Sequence, residues 1–148
     1  MISSQDAAVL ERILRREGRS LLQYLSEAFP WTRTGTGENL ANLQQVICEE
    51  RDAIAALGRF LLRNERIVPY LGPFPMAFFS MNFVSLDFLL PRLVEYQRQA
   101  LAALEHDRAN LNDAAAVAAV DQFLALKQQH LQVLDRLVGA ASATSPCA

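Results

Sequence analysis

Cysteine is scarce in this chain, neither charge sign dominates, and strand-type alternation is absent. Each shortage removes a class of explanation. Two cysteines, Cys48 and Cys147, cannot staple a secreted scaffold, so a reduced, cytoplasmic setting is the expectation. Cys48 falls inside a predicted helix, where a buried thiol behaves as a small hydrophobe. The carboxylates of Glu49 and Glu50 beside it disfavour a reactive thiolate. The formal net charge is −2, and the one basic run (Arg12, Arg15, Arg16, Arg19) is interleaved with acids. That leaves no concentrated basic footprint for nucleic acid. The opening M-I-S-S-Q-D shows no basic-then-apolar leader pattern. The T-G-T-G at 34–37 lacks the preceding strand and the spacing of a phosphate-binding loop. With no nucleophile constellation, the chain is read as non-catalytic and without a cofactor.

What is present is helical periodicity. Hydrophobic residues make up 51% of the 148 positions, enough for a buried core in one domain without a metal or disulfide. The first predicted helix runs from about Ser4 to Ala28, capped by Ser3 or Ser4 and stopped by Pro30, with the stripe Leu10, Leu14, Leu21, Tyr24 and Ala28. The second runs from about Gly37 to Arg66, with Thr36 as its cap and Leu40, Leu43, Ile47, Ile54, Leu57 and Leu61 as its stripe. A third starts near Asp87, which puts Pro91 close to its first turn, and ends near Asp107, where His106 meets the negative helix pole. Its stripe is Leu86, Leu90, Leu93, Ala100 and Leu104. The fourth opens at Asn112 and closes before Gly139, a natural terminator, with the stripe Val117, Val120, Leu124, Leu131, Leu134 and Val138.

Four rods of similar length, each with one apolar stripe, bury those stripes together as an all-α, antiparallel four-helix bundle over residues 1–138. The small-residue tail 139–148 is expected to be disordered. Short loops make the first and second rods neighbours, and likewise the third and fourth. The long connection between the second and third permits a ferritin-like crossover. It also permits an up-down-up-down bundle with the connector folded over one end, and this second topology is favoured because a proline- and glycine-kinked chain is short.

Each stripe carries one polar interruption near its middle: Glu17, Glu50, Gln97 and Lys127, with His130 one turn beyond the last. In register, these side chains converge in one layer, where Lys127 would meet Glu50 or Glu17 and Gln97 would bridge. Such a layer fixes register, and unpaired buried charges would be costly. Glu49 and Glu95 flank it. The pattern resembles, in outline, the ferritin-like di-iron bundles, which place a Glu on each of two helices and Glu-x-x-His on the other two. Here the corresponding positions read Glu50-x-x-Ala53 and Lys127-x-x-His130. A divalent metal on that template would use Glu17, Glu50, Glu95 and His130.

The connector holds the densest feature of the chain. From Ile67 to Leu86 there are twenty residues without a charge, and three prolines and a glycine between Pro69 and Pro75 forbid a regular helix. Those prolines also rule out a membrane span. Six of the twelve aromatic residues lie in 70–88. Irregular and apolar together, the segment needs something to cover it: the bundle's own end, another protein or a small apolar molecule. Tyr70, Phe74, Met76, Phe78, Phe79, Met81, Phe83 and Phe88 are the candidate interface residues, and Trp31 joins them if the end of the first helix lies at the same end. The sequence therefore points to a binding or assembly module, either a homodimer or a complex with a protein partner. The alternative is a ferritin-like bundle holding a metal or small ligand in the polar layer.

Overall fold

A computed structural model describes residues 1–32 and 37–144 of the chain, with side chains described as far as Ala141. Among the described residues the fold is all-helical: α1 (Ser4–Gly18), α2 (Leu21–Tyr24), α3 (Gly37–Arg63), a 3-10 turn (Met76–Met81), α4 (Leu86–Ala109) and α5 (Ala114–Thr144). The only strand-like pairing among them is an isolated bridge between Trp31 and Ser85. No helix among the described residues is long and apolar enough to cross a membrane. The expected cap at Thr36, Cys147 and the end of the tail lie outside the described residues.

Local chemistry explains most boundaries. Ser3 caps α1 by accepting from Asp6 N–H at 3.0 Å, and Ser85 caps α4 by accepting from Phe88 N–H at 3.1 Å. The helix expected over Ser4–Ala28 is two helices. It breaks after Gly18 because the connector passes over that point: a Cβ there would sit 2.5 Å from Leu71 Cδ1. Ser20 then caps the short α2 through Gln23 N–H at 3.2 Å. At the other end, α5 does not stop at Gly139. That glycine is exposed with open space around it, so its lack of a side chain costs the helix little packing, and α5 continues to Thr144. The helix therefore runs past the stop expected at Gly139.

Two apolar clusters divide the interior and reveal the helix directions. One gathers Leu21, Leu25, Leu43, Ile47, Leu86, Leu90 and Leu134. The other gathers Leu10, Ile13, Leu57, Leu61, Leu104, Val120 and Phe123. The first cluster thus contains the start of α3, the start of α4, the end of α5 and the α2 region. So α1 and α5 run one way, and α3 and α4 run the other. The long helices touch as α1 with α3, α3 with α5, α5 with α4 and α4 with α1, and the shared direction of α3 and α4 departs from the favoured up-down-up-down order. The connector 64–85 returns along the molecule, with Leu71 against Gly18 and Phe74 and Phe78 against Tyr24. Kinked or not, its reach is ample: about 70 Å if extended, against about 40 Å for a helix the length of α3.

The far end is closed by Asp6, which is buried. Its carboxylate accepts from Asn112 N–H at 3.1 Å and Asp113 N–H at 2.8 Å, holding the α4–α5 loop against the first turn of α1. Asp113 in turn caps α5. Replacing Asp6 by alanine strands two backbone donors, so Asp6→Ala is expected to lower the unfolding free energy by about 2–3 kcal/mol. A urea titration followed by circular dichroism measures this; an unchanged midpoint would show that the loop is held by other means.

Candidate functional site

Between the two apolar clusters lies a layer of buried polar side chains. Lys127 is 0% exposed, and its ammonium has three donors. They reach Glu17 Oε2 at 2.8 Å, Glu50 Oε2 at 3.2 Å and Gln97 Oε1 at 3.3 Å. Gln97 returns its amide N–H to Glu50 Oε1 at 2.6 Å. The structure therefore brings together the four residues expected from the stripes, one from each long helix. Phe123 closes the layer on one side, its ring centroid 5.3 Å from the ammonium.

His130 extends the layer toward the surface. Its Nδ1 lies 3.1 Å from Glu50 Oε1 and its Nε2 lies 2.8 Å from Glu49 Oε2. Both partners are carboxylates, which only accept, so the ring donates from both nitrogens as an imidazolium. Burial disfavours that charge, yet the hydrogen bonds to Glu50 and Glu49 outweigh it and hold the His130 pKa above its ordinary value. Burial likewise works against ionised Glu50, but the His130 bond, the Lys127 charge and the Gln97 bond together lower its pKa. Glu49, nearer the surface, is lowered chiefly by the His130 bond and then by the bond from Gln45. Burial also opposes charge on Lys127, and the Glu17 and Glu50 charges prevail, raising its pKa. Two cations thus face three anions, and Arg16 Nε beside Glu17 Oε1 at 3.4 Å brings the balance to neutral.

A second charged cluster adjoins the first and was not anticipated. Asp107 is buried and accepts from Arg12 Nη2 and from Arg16 Nη1, both at 2.6 Å. The sequence signal was the Arg12/Arg16 spacing of one helical turn, which aims both guanidinium groups at one neighbour.

The layer does not fit a metal. Its centre is filled by an ammonium whose every donor is used. Glu95, one of the four template ligands, is exposed on α4 and accepts from Gln99 at 3.0 Å instead. Among the described residues no group of three or more His, Cys, Asp or Glu is placed to hold one. Two other sequence expectations are also corrected, while His106 is exposed in the last turn of α4, at the negative pole where it was expected. Cys48 is exposed, on the outer face of α3 beside Arg51, rather than buried. The α5 stripe is rotated by about one residue: Ala116, Val120, Phe123, Leu134, Leu137 and Ala141 are its buried apolar positions, while Val117, Leu124, Leu131 and Val138 are half-buried. That rotation is what draws His130 inward along with Lys127.

The aromatic segment divides into an inner and an outer half. Phe78 is 5% exposed. Its ring lies 5.8 Å from Tyr24 and 5.7 Å, edge-on, from Tyr96. Phe74 and Met81 are half-buried against the same cluster, and Tyr24 Oη hydrogen-bonds Asn82 Oδ1 at 2.5 Å. These three side chains, expected at an interface, instead pack on the chain's own core. Tyr70 is 87% exposed, Met76 80%, Phe83 94%, and Phe79 and Phe88 about half, beside an exposed Trp31. Trp31 is tied to this region by backbone hydrogen bonds with Val84 and Leu86, and Arg92 stacks 3.6 Å from the Phe88 ring centroid. No family model, curated protein or solved structure matches this chain.

Truncating the lysine leaves Glu17 and Glu50 buried and uncompensated, so Lys127→Met is expected to cost about 3–5 kcal/mol in chemical unfolding. Acidity adds a second readout. The His130 contribution is complete below its ordinary pKa of 6.5 and is lost as pH rises through the raised folded value. The Glu50 contribution is complete above its ordinary 4.5 and is lost as pH falls through the lowered folded value. Melting temperature should therefore plateau between these limits, and His130→Gln should flatten its alkaline side. An alkaline limb unchanged in the variant would refute the imidazolium.

Proposed function

We infer that this chain is a non-catalytic binding and assembly module that associates through the outer half of the aromatic segment 67–88. One observation carries the reading: large apolar side chains stand in water on a segment whose inner half is anchored in the core. Tyr70, Met76, Phe79 and Phe83 expose their side chains, while Phe78, from the same short stretch, anchors the segment beneath them. Loose ends expose apolar groups by default, whereas here they are held on a fixed support. Phe83 has φ +61°, a left-handed conformation that non-glycine residues adopt at a cost of order 1–3 kcal/mol.

Aromatic and methionine side chains with no charge among them, rimmed by an arginine stacked on Phe88, match the composition of an interface centre. The polar layer supplies the register and rigidity that such a surface requires, and does no chemistry of its own. A fixed support lowers the entropy that association must overcome. The occupant of this surface is read as a second copy of the chain, with a four-rod antiparallel body behind each contact face.

Light scattering across a concentration series tests this reading. The wild-type chain should self-associate. Phe79→Asp with Phe83→Asp should weaken association at least tenfold, about 1.4 kcal/mol, and leave the melting temperature unchanged at dilutions where both chains are monomeric, because neither ring is in the core. A wild type that stays monomeric throughout the series, or a double variant that associates as well as wild type, would end the proposal. Phe78→Asp belongs to a different class: it buries a charge and is expected to unfold the inner half.

A further inference from the structure

The break between α1 and α2 opens a cleft of about 490 Å³, within the range of small-molecule sites. Tyr70, Met76, Phe79 and Phe83 take no part in its walls, so it is separate from the surface assigned to association. Leu21, Leu93 and Phe78 line it from the core, each almost fully buried, which fixes that wall in place. Phe78 and Tyr96 set their rings edge-on with centroids 5.7 Å apart. Ala100 and Ala103, one turn apart on α4, present only methyl groups to it. Larger side chains at those two positions would close the space.

The charged residues that line the cleft are already committed elsewhere. Arg16 gives Nη1 to Asp107 and Nε to Glu17, and its Nη2 is shut off from solvent. Glu17 and Gln97 hold Lys127. A charged group carried into the cleft would therefore shed its hydration and meet no free counter-charge among them. Arg19 also lines the cleft, partly exposed and bonded through Nε to the Arg15 carbonyl at 3.1 Å. A hydrated surface guanidinium adds little to the binding of an anion, repels a cation, and attracts the face of an aromatic ring. An aromatic guest can also extend the edge-on pair of Phe78 and Tyr96. Apolar walls, compensated charges and that ring pair together select a guest that is uncharged and aromatic.

We propose that this cleft binds a neutral planar aromatic molecule of about two fused rings, packed on Tyr96 and Phe78 and against the methyl groups of Ala100 and Ala103. Calorimetric titration of the full chain at neutral pH compares compounds of one skeleton: 2-naphthol, the saturated decahydro-2-naphthol, the anion 2-naphthoate and the cation 2-naphthylmethylammonium. 2-Naphthol should bind saturably, one per chain, with amide shifts centred on Leu21, Phe78, Tyr96 and Ala100. The saturated alcohol should bind about threefold or more weakly, the margin that a ring contact provides. Each ion should bind at least about tenfold more weakly. Ala100→Phe fills the cleft and should weaken 2-naphthol at least tenfold, and Ala103→Phe gives the same reading if the first variant fails to fold. Tyr96→Leu, at a site partly open to solvent, should erase the preference for the aromatic alcohol. Phe79→Asp with Phe83→Asp should bind 2-naphthol as wild type does, whether or not the chain associates. The proposal is overturned by no saturable binding of 2-naphthol, by an ion or the saturated alcohol binding as tightly, or by a preference that survives Tyr96→Leu. Unaltered affinity in a folded Ala100→Phe or Ala103→Phe chain, or binding lost with the Phe79 and Phe83 changes, overturns it equally.

Discussion

A lysine ammonium wholly removed from water is the constraint around which this molecule is organised. Isolated in a low-dielectric interior, such a charge would cost several kcal/mol even after relaxation, so acceptors have to be present in the same place. Glu17, Glu50 and Gln97 supply them from three different long helices while Lys127 comes from the fourth. Sliding any helix by one turn would move its member about 5.4 Å out of the layer and leave a buried charge without its partner. Apolar contacts alone tolerate such slips, because one leucine substitutes for another. The layer thus sets the register, and the apolar clusters on either side of it contribute the bulk of the burial.

Consequences of that layer reach the surface by two routes. His130 continues it between Glu50 and Glu49, so the charge balance of the interior is linked to a half-exposed carboxylate. Arg16 continues it on the opposite side, joining Glu17 to the buried Asp107. It is also at this side that the first helix breaks, the connector crosses at Leu71, and a cleft opens. The interruption follows from packing: once α3 and α4 run parallel, the chain between them has to pass over α1, and glycine is the residue that permits the closest approach. One topological choice therefore produces the break, the cleft and the placement of the aromatic segment.

The polar layer was legible in the sequence because each apolar stripe has one interruption at nearly the same distance along its helix, and helical periodicity projects all four inward. The existence and approximate span of the four rods were legible for the same reason. Helix direction was not. It depends on where a 22-residue irregular connector goes (residues 64–85), and no periodicity describes such a segment. The same limit hid which aromatics face inward: Phe78 and Phe79 are adjacent and chemically identical, and only the 3-10 turn sends one to Tyr96 and the other toward solvent. On α5 the error was an angular one, since Val117 and Ala116 both satisfy a helical stripe. The alanine is the buried one because α5 lies close to its neighbours there. Cys48 was misplaced because thiols are usually buried, whereas its neighbours Ile47 and Glu50 occupy the inward face of α3 and leave Cys48 outside.

The outer half of the aromatic segment resists explanation as a mere cap. A lid that closes a helix-bundle end gains its stability by turning its apolar groups inward, as Phe74, Phe78 and Met81 do. Tyr70, Met76 and Phe83 gain nothing from that arrangement, because their side chains contact mostly water. Phe83 also holds a left-handed backbone conformation while exposing a full ring, so neither backbone preference nor burial within this chain accounts for a phenylalanine there. A polar residue such as asparagine would suit both the conformation and the solvent better. Under the proposed self-association a partner surface would account for it: burial of an exposed aromatic ring on association is worth roughly 1.5–3 kcal/mol, enough to offset the strain that presents it. The fold behind the segment, braced by its buried ammonium, makes that presentation rigid.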